Sequence, residues 1–236
     1  FAEDFPDDTP LGSTMGYFQS KWASERLLAQ FHENGGKANI FRLGRIVGSE
    51  EAGRCRFQDN QLFLLLKGVL MMGCAPDLDR FFNLTPAPVV SDIMALDRFT
   101  HGGGYALNVF NDRAYLTWRD MIARLSELRG PIELVPFTEW QSRVLDVDEA
   151  NPIARLAPLY LRPEAETKML SSAINIHDYA CQVSAAIMDD EGLQYPGDLV
   201  ALFDRHLEHM AEAGFWDRNA RSSSRGTPMS AKVGAG

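Results

Sequence analysis

The strongest constraint on the fold is the alternation of helix and strand signals around paired glycines in the first half of the chain. Over residues 14–34, Phe18, Trp22, Leu27, Leu28 and Phe31 recur at helical spacing, and Gly35-Gly36 closes the run. A β-leaning run over 38–43 follows at once and leaves through Leu43-Gly44-Arg45-Ile46-Val47-Gly48. A charged loop over 49–56 leads to a helix expected over 57–72, apolar nearly all round and therefore buried. Ser91 or Asp92 would cap a helix reaching Phe99, and residues 105–110 alternate like a strand. Thr117, with Asp120 in the first turn, opens another helix, which Gly130-Pro131 stops before a short strand over 132–135.

Beyond Phe137 the pattern is helical, over 139–149, 154–160, 177–188 and 198–213. The last of these puts Leu199, Phe203, Leu207 and Met210 on one face. Residues 219–236 lack periodicity and read as a disordered tail. An α/β part over 1–116 followed by a mainly helical part over 117–218 is the expected organisation.

Composition narrows the function. The 236 residues carry a net charge of −9, which argues against binding a phosphate backbone and so against nucleic acid. The longest apolar stretch, 62–72, is interrupted by Lys67 and falls short of the ~20 residues that span a membrane. Three scattered cysteines, Cys55, Cys74 and Cys181, fit neither a disulfide framework nor a zinc site and suit a reducing cytoplasm. The chain opens without Met in an acidic stretch, as a piece of something longer would.

Tyr17 and Lys21 are the most informative pair. Four residues apart on a helix, a phenol and an ammonium share one face about 6 Å apart. A free Tyr has a pKa near 10, and a neighbouring Lys lowers it toward useful acid–base chemistry. The bare spacing also occurs in ordinary amphipathic helices, so its context decides.

The run 16–25, Gly-Tyr-Phe-Gln-Ser-Lys-Trp-Ala-Ser-Glu, resembles the active-site helix of the extended short-chain dehydrogenase/reductases. More narrowly, it is similar to the thioester reductase domains that end some nonribosomal peptide and polyketide synthases, and to carboxylic acid reductases. Phe41-Arg42-Leu43-Gly44, Leu65-Leu66-Lys67-Gly68, Pro76-Asp77, Tyr105-Ala106-Leu107-Asn108, Trp118-Arg119-Asp120 and residues 136–140 extend the likeness in order, to about Trp216. The resemblance implies a partial Rossmann-like domain with a helical substrate subdomain. It further implies that Tyr17 protonates the developing oxyanion, that Lys21 holds the nicotinamide ribose and depresses the Tyr17 pKa, and that Leu43, Gly44, Arg45 and Ile46 line the nicotinamide of NADPH. The substrate would be an acyl thioester on the phosphopantetheine arm of a carrier protein, released as aldehyde or alcohol, with neighbouring synthase domains as partners. The helix over 62–72 would either shape an acyl channel or simply pack in the core.

Three departures qualify the likeness. Family members usually carry Pro where this chain has Leu43, which leaves the loop less rigid. The upstream Ser/Thr of the catalytic trio is absent. No Gly-rich strand–helix turn of the kind that holds a pyrophosphate occurs in the sequence. The expectation is a domain lacking its N-terminal nucleotide-binding strands, binding NADPH weakly or not at all on its own and inactive alone.

Other readings follow from other residues. A noncatalytic module docking a carrier protein or neighbouring domain, and a sugar-nucleotide epimerase or dehydratase of the same superfamily, are the alternatives. His101-Gly102-Gly103-Gly104 imitates a lipase oxyanion loop, but Thr14 stands where the nucleophile would be and the order is reversed. His206 and His209, beside Asp204 and Glu208, read as a solvated polar face and not as metal ligands. Trp22, Trp118, Trp140 and Trp216 read as core or interface anchors.

Overall fold

The computed structural model describes residues 2–6, 16–111, 113–161 and 179–216. Helix α1 (Gly16–Glu33) leads through Gly35, with φ of 84°, to strand β1 (Asn39–Leu43) and the two-residue β2 (Ile46–Val47). The apolar helix, α2 (Gln61–Met72), begins four residues later than its hydrophobic run. Asn60 is the reason: its side-chain oxygen accepts the Leu62 N–H at 3.0 Å and fixes the first turn there. Gly73, at φ 68°, ends the helix in the left-handed conformation.

Short strands β3 (Cys74–Pro76), β4 (Phe81–Phe82) and β5 (Thr85–Pro86) come next. Helix α3 (Ala87–Met94) follows, so Ser91 and Asp92 lie inside a helix and do not cap one. Pro86 precedes its first residue and Pro88 sits in its first turn, where a missing N–H costs nothing. A single turn, α4 (Asp97–Thr100), leads to β6 (Tyr105–Val109) and β7 (Leu116–Thr117). Thr117 and Asp120 cap α5 (Trp118–Arg129) with a reciprocal box, as their spacing predicts.

After β8 (Glu133–Val135) come α6 (Phe137–Leu145), α7 (Pro152–Tyr160), α8 (Gln182–Asp190) and α9 (Leu199–Glu212). Helix α6 starts two residues early and stops at 145, because Asp148 turns the chain by accepting the Ala150 N–H and Asn151 caps α7. The expected start of α8 near 177 and the tail over 219–236 lie outside the described residues.

Strand β1 pairs parallel with β6, β2 with β5 and β3 with β8, while β4 and β7 pair antiparallel. These pairs and the helices around them form the α/β architecture expected from the sequence. Two apolar clusters hold it. The larger gathers α2, α5, α6, α7 and α9 around Leu66, Met121, Trp140 and Phe203; Trp118 and Trp216 are buried in it too. Leu62, Phe63, Leu65, Leu66 and Val69 of α2 are all buried in that core. The smaller cluster joins β1, β6, α3 and α8 through Val90, Ile93, Leu107, Val109 and Ile187. Among the described residues no helix is long and apolar enough to cross a membrane.

Candidate active site

The carboxyl ends of β1 and β6 carry the candidate site, as parallel strands do in open α/β sheets. The Gly44 N–H donates to Val109 O at 3.0 Å and so prolongs the parallel ladder by one residue. On the other side the Thr85 N–H donates to Arg45 O at 2.9 Å, and Ile46 stands opposite Thr85 across the β2–β5 pair. The loop over 43–46 is therefore pinned by backbone bonds on both flanks, with Leu43 in place of a proline.

Gly44 is required by the packing beneath it. A Cβ there would stand 2.5 Å from Thr85 Oγ1, 2.7 Å from the Phe110 ring and 2.8 Å from Asn83 Oδ1. Those groups form a buried polar network: Thr85 donates to Asn83 at 2.7 Å, Asn83 donates to the Asn111 carbonyl, and Asn111 donates to Pro196 O at 3.2 Å. Nothing in the hydrophobic pattern points to this network, since its members are joined by tertiary contacts alone.

Helix α1 presents Tyr17 and Lys21 outward, with Tyr17 65% exposed. The Lys21 ammonium lies over the Tyr17 ring, 5.6 Å from its centroid, so the two side chains do share a face. Neither has a hydrogen-bond partner for its polar head among the described residues, and neither touches the loop over 43–46 by hydrogen bond or ring contact. One turn along from Lys21, Glu25 accepts from Arg42 of β1 through Nε at 2.9 Å and Nη2 at 2.7 Å. The same guanidinium donates to the carbonyls of Ala2 and Asp4. This fork fixes α1 and the N-terminal residues against β1, a geometry that Lys could not supply.

Arg45 is partly buried, its guanidinium 5.3 Å from the centroid of the Phe82 ring. Burial pushes its pKa down, opposed by Tyr160 at the end of α7. Burial pushes the Tyr160 phenol up to about 12, against a hydrogen bond from Gln61 and the charge of Arg45. The gathering of Arg45, Gln61 and Tyr160 is not visible in the sequence, where they are far apart and belong to different elements.

His206 corrects the reading of the last helix. It is 1% exposed, stacked on Phe63, and its Nε2 accepts the Gly48 N–H at 2.8 Å while Nδ1 meets Leu202 O at 2.7 Å. It is a buried tie between α9 and the strand that follows the candidate loop, not part of a solvated face. His101-Gly102-Gly103-Gly104 is a tight turn before β6: a Cβ on Gly103 would meet Lys37 at 2.9 Å, and Gly104 has φ of 94°.

This α/β arrangement is shared with solved reductase domains. Residues 2–94 match the family model described as Male sterility protein, an NAD-binding domain. The chain is 31% identical over 233 residues to the L-2-aminoadipate reductase large subunit of Eremothecium gossypii, covering 92% of this chain and 16% of that protein. It is 28% identical over 163 residues to a linear gramicidin synthase polypeptide of Brevibacillus parabrevis, covering 65% of this chain and 3% of the synthase. The crystal structure of the terminal R domain from the myxalamid PKS-NRPS biosynthetic pathway superposes with a TM-score of 0.75 at 21% identity, over 92% of this chain and 54% of that one. The chain is thus a relative of the reductase domains of aminoadipate reductases and of nonribosomal peptide and polyketide synthases, and it spans a small part of the curated relatives' length.

Proposed function

We propose that this chain is part of a reductase that releases an acyl or peptidyl group from a carrier protein as an aldehyde, or as the alcohol after a second reduction, using NADPH. The observation that carries this reading is the pairing of Tyr17 with Lys21 on α1, in a chain whose relatives are carrier-linked reductases. NADPH, when bound, supplies the hydride. The residues present suit its nicotinamide end: an ammonium and a phenol whose polar heads have no hydrogen-bond partner among the described residues, on the helix that the Glu25–Arg42 pair ties to β1, whose exit is held by backbone bonds. A turn for the pyrophosphate is not among these residues.

In this reading Lys21 binds the nicotinamide ribose and holds positive charge against Tyr17. The Tyr17 hydroxyl bonds the substrate carbonyl and gives up its proton as negative charge develops on that oxygen. Leu43, Gly44, Arg45 and Ile46 present a fixed backbone to the nicotinamide face. The partners are a carrier protein with its phosphopantetheine thioester and the neighbouring synthase domains, in the cytoplasm.

The test uses the longest natural polypeptide that carries these residues and follows NADPH oxidation with an acyl-pantetheine thioester. Tyr17→Phe should lower kcat by about 10²- to 10⁴-fold with NADPH binding retained. Turnover unaffected by that substitution would sink the assignment of Tyr17, and wild-type binding of NADPH without turnover would redirect the substrate toward sugar nucleotides.

A further inference from the structure

Tyr17, Lys21 and Glu25 stand four residues apart in turn and form one stripe along α1. The last member of that stripe is the anchored one. Arg42 donates through Nε to Glu25 Oε2 at 2.9 Å and to Oε1 at 3.1 Å, and through Nη2 to Oε2 at 2.7 Å. Its Nη1 donates to Ala2 O at 2.8 Å and its Nη2 also to Asp4 O at 2.9 Å, so every nitrogen of the guanidinium is engaged. Arg42 directly precedes the loop over 43–46, which backbone bonds hold on both flanks. One side chain therefore links the stripe that carries the phenol and the ammonium to the strand exit.

Apolar burial is the usual anchor of a helix, and α1 has little of it. Of its 18 residues only Ala29 is buried, while Tyr17, Phe18, Leu27 and Phe31 are exposed. The far side of the clamp is firm. Glu3, between the two carbonyls that Arg42 grips, accepts the N–H groups of Asn108 in β6 at 3.1 Å and of Val183 and Ser184 in α8 at 2.6 and 3.1 Å. With side chains 16% and 24% exposed, Arg42 and Glu25 are also not the freely solvated kind of pair that contributes little.

We propose that Arg42 is a positioning residue: acting through Glu25, it holds Tyr17 and Lys21 in fixed register with the loop over 43–46. The inference rests on the reductase reading, in which that register brings the phenol, the ribose and the nicotinamide together. A misplacement of about 1 Å in such a register costs about 10²-fold in rate.

Two measurements on the longest natural polypeptide that carries these residues test this. In hydrogen exchange read by mass spectrometry, Arg42→Met should speed exchange over α1 by about ten-fold or more and leave α2 and α5 unchanged, because the charged bonds lost are those that resist local opening of α1. Glu25→Gln should do the same to a smaller extent. In NADPH oxidation with an acyl-pantetheine thioester, Arg42→Met should lower kcat by about 10- to 100-fold with the thioester KM nearly unchanged. Arg42→Lys keeps the charge without the fork and should stay close to Arg42→Met. In a Tyr17→Phe background, followed by single turnover at high enzyme concentration, Arg42→Met should cost no more than about two-fold further, since the group that it positions is gone. An equal loss in both backgrounds marks a merely structural role and overturns the proposal, as do unchanged exchange over α1 or full recovery by Arg42→Lys. If Arg42→Met does not fold, Glu25→Gln decides by the same readouts. Wild type without thioester turnover would sink the reductase reading, and exchange over α1 would then decide the clamp alone.

Discussion

Replacing His206 by Phe isolates one buried hydrogen bond between the last helix and the strand that leaves the candidate loop. The aromatic ring stays against Phe63, but the Gly48 N–H, which now donates to Nε2 at 2.8 Å, loses its acceptor in the interior. Gly48 cannot swing aside, since even a Cβ on it would fall 2.1 Å from the Arg54 carbonyl oxygen. An orphaned buried donor costs about 1–3 kcal/mol. For a chain of this size that is a fall in Tm of about 2–12 °C. The pH dependence gives an independent check. Burial holds the His206 pKa below its ordinary value, the Nδ1 bond to Leu202 opposes that shift, and His209 reinforces it. The unfolded chain takes up a proton near pH 6.5 while the folded chain resists until lower pH. The stability due to neutral His206 is thus fully present above about pH 6.5 and declines as pH falls toward the folded pKa, by at most about 1.4 kcal/mol per pH unit. Urea unfolding of both proteins at pH 7.5, 6.5 and 5.5 should show a gap that narrows toward acid, because the other titrating groups are common to both. A gap constant across the three pH values, or none at pH 7.5, refutes the role given to His206.

Gly44→Ala forces a Cβ against Thr85, Phe110 and Asn83, and overpacking of that kind costs about 1–3 kcal/mol; a thermal melt identical to wild type would show that the loop over 43–46 yields freely. Thr117→Ala removes one arm of the box that opens α5 and should cost about 1 kcal/mol in urea unfolding, with most of it restored by Thr117→Ser. Equal stability of Thr117→Ala and wild type would mean that packing of Trp118 alone sets that helix start.

What could be read from the sequence was what is decided within a few neighbouring residues. The α5 box needs only Thr117 and Asp120 three apart, and β1 and β6 stand out as short apolar runs between glycines and polar turns. The two-residue strands β2, β4, β5 and β7 are too short to show any period and exist only because a partner meets them. His206 is the instructive failure. It lies three residues from Phe203 and four from Met210, so helical spacing alone places it on the buried face. Residue type argued for solvent, and type misled because the partner that makes a buried imidazole tolerable, Gly48, is 158 residues away in the chain. Polar residues whose partners are distant in sequence, or are not protein at all, are where periodicity outperforms residue type and where tertiary structure must be seen before chemistry can be assigned.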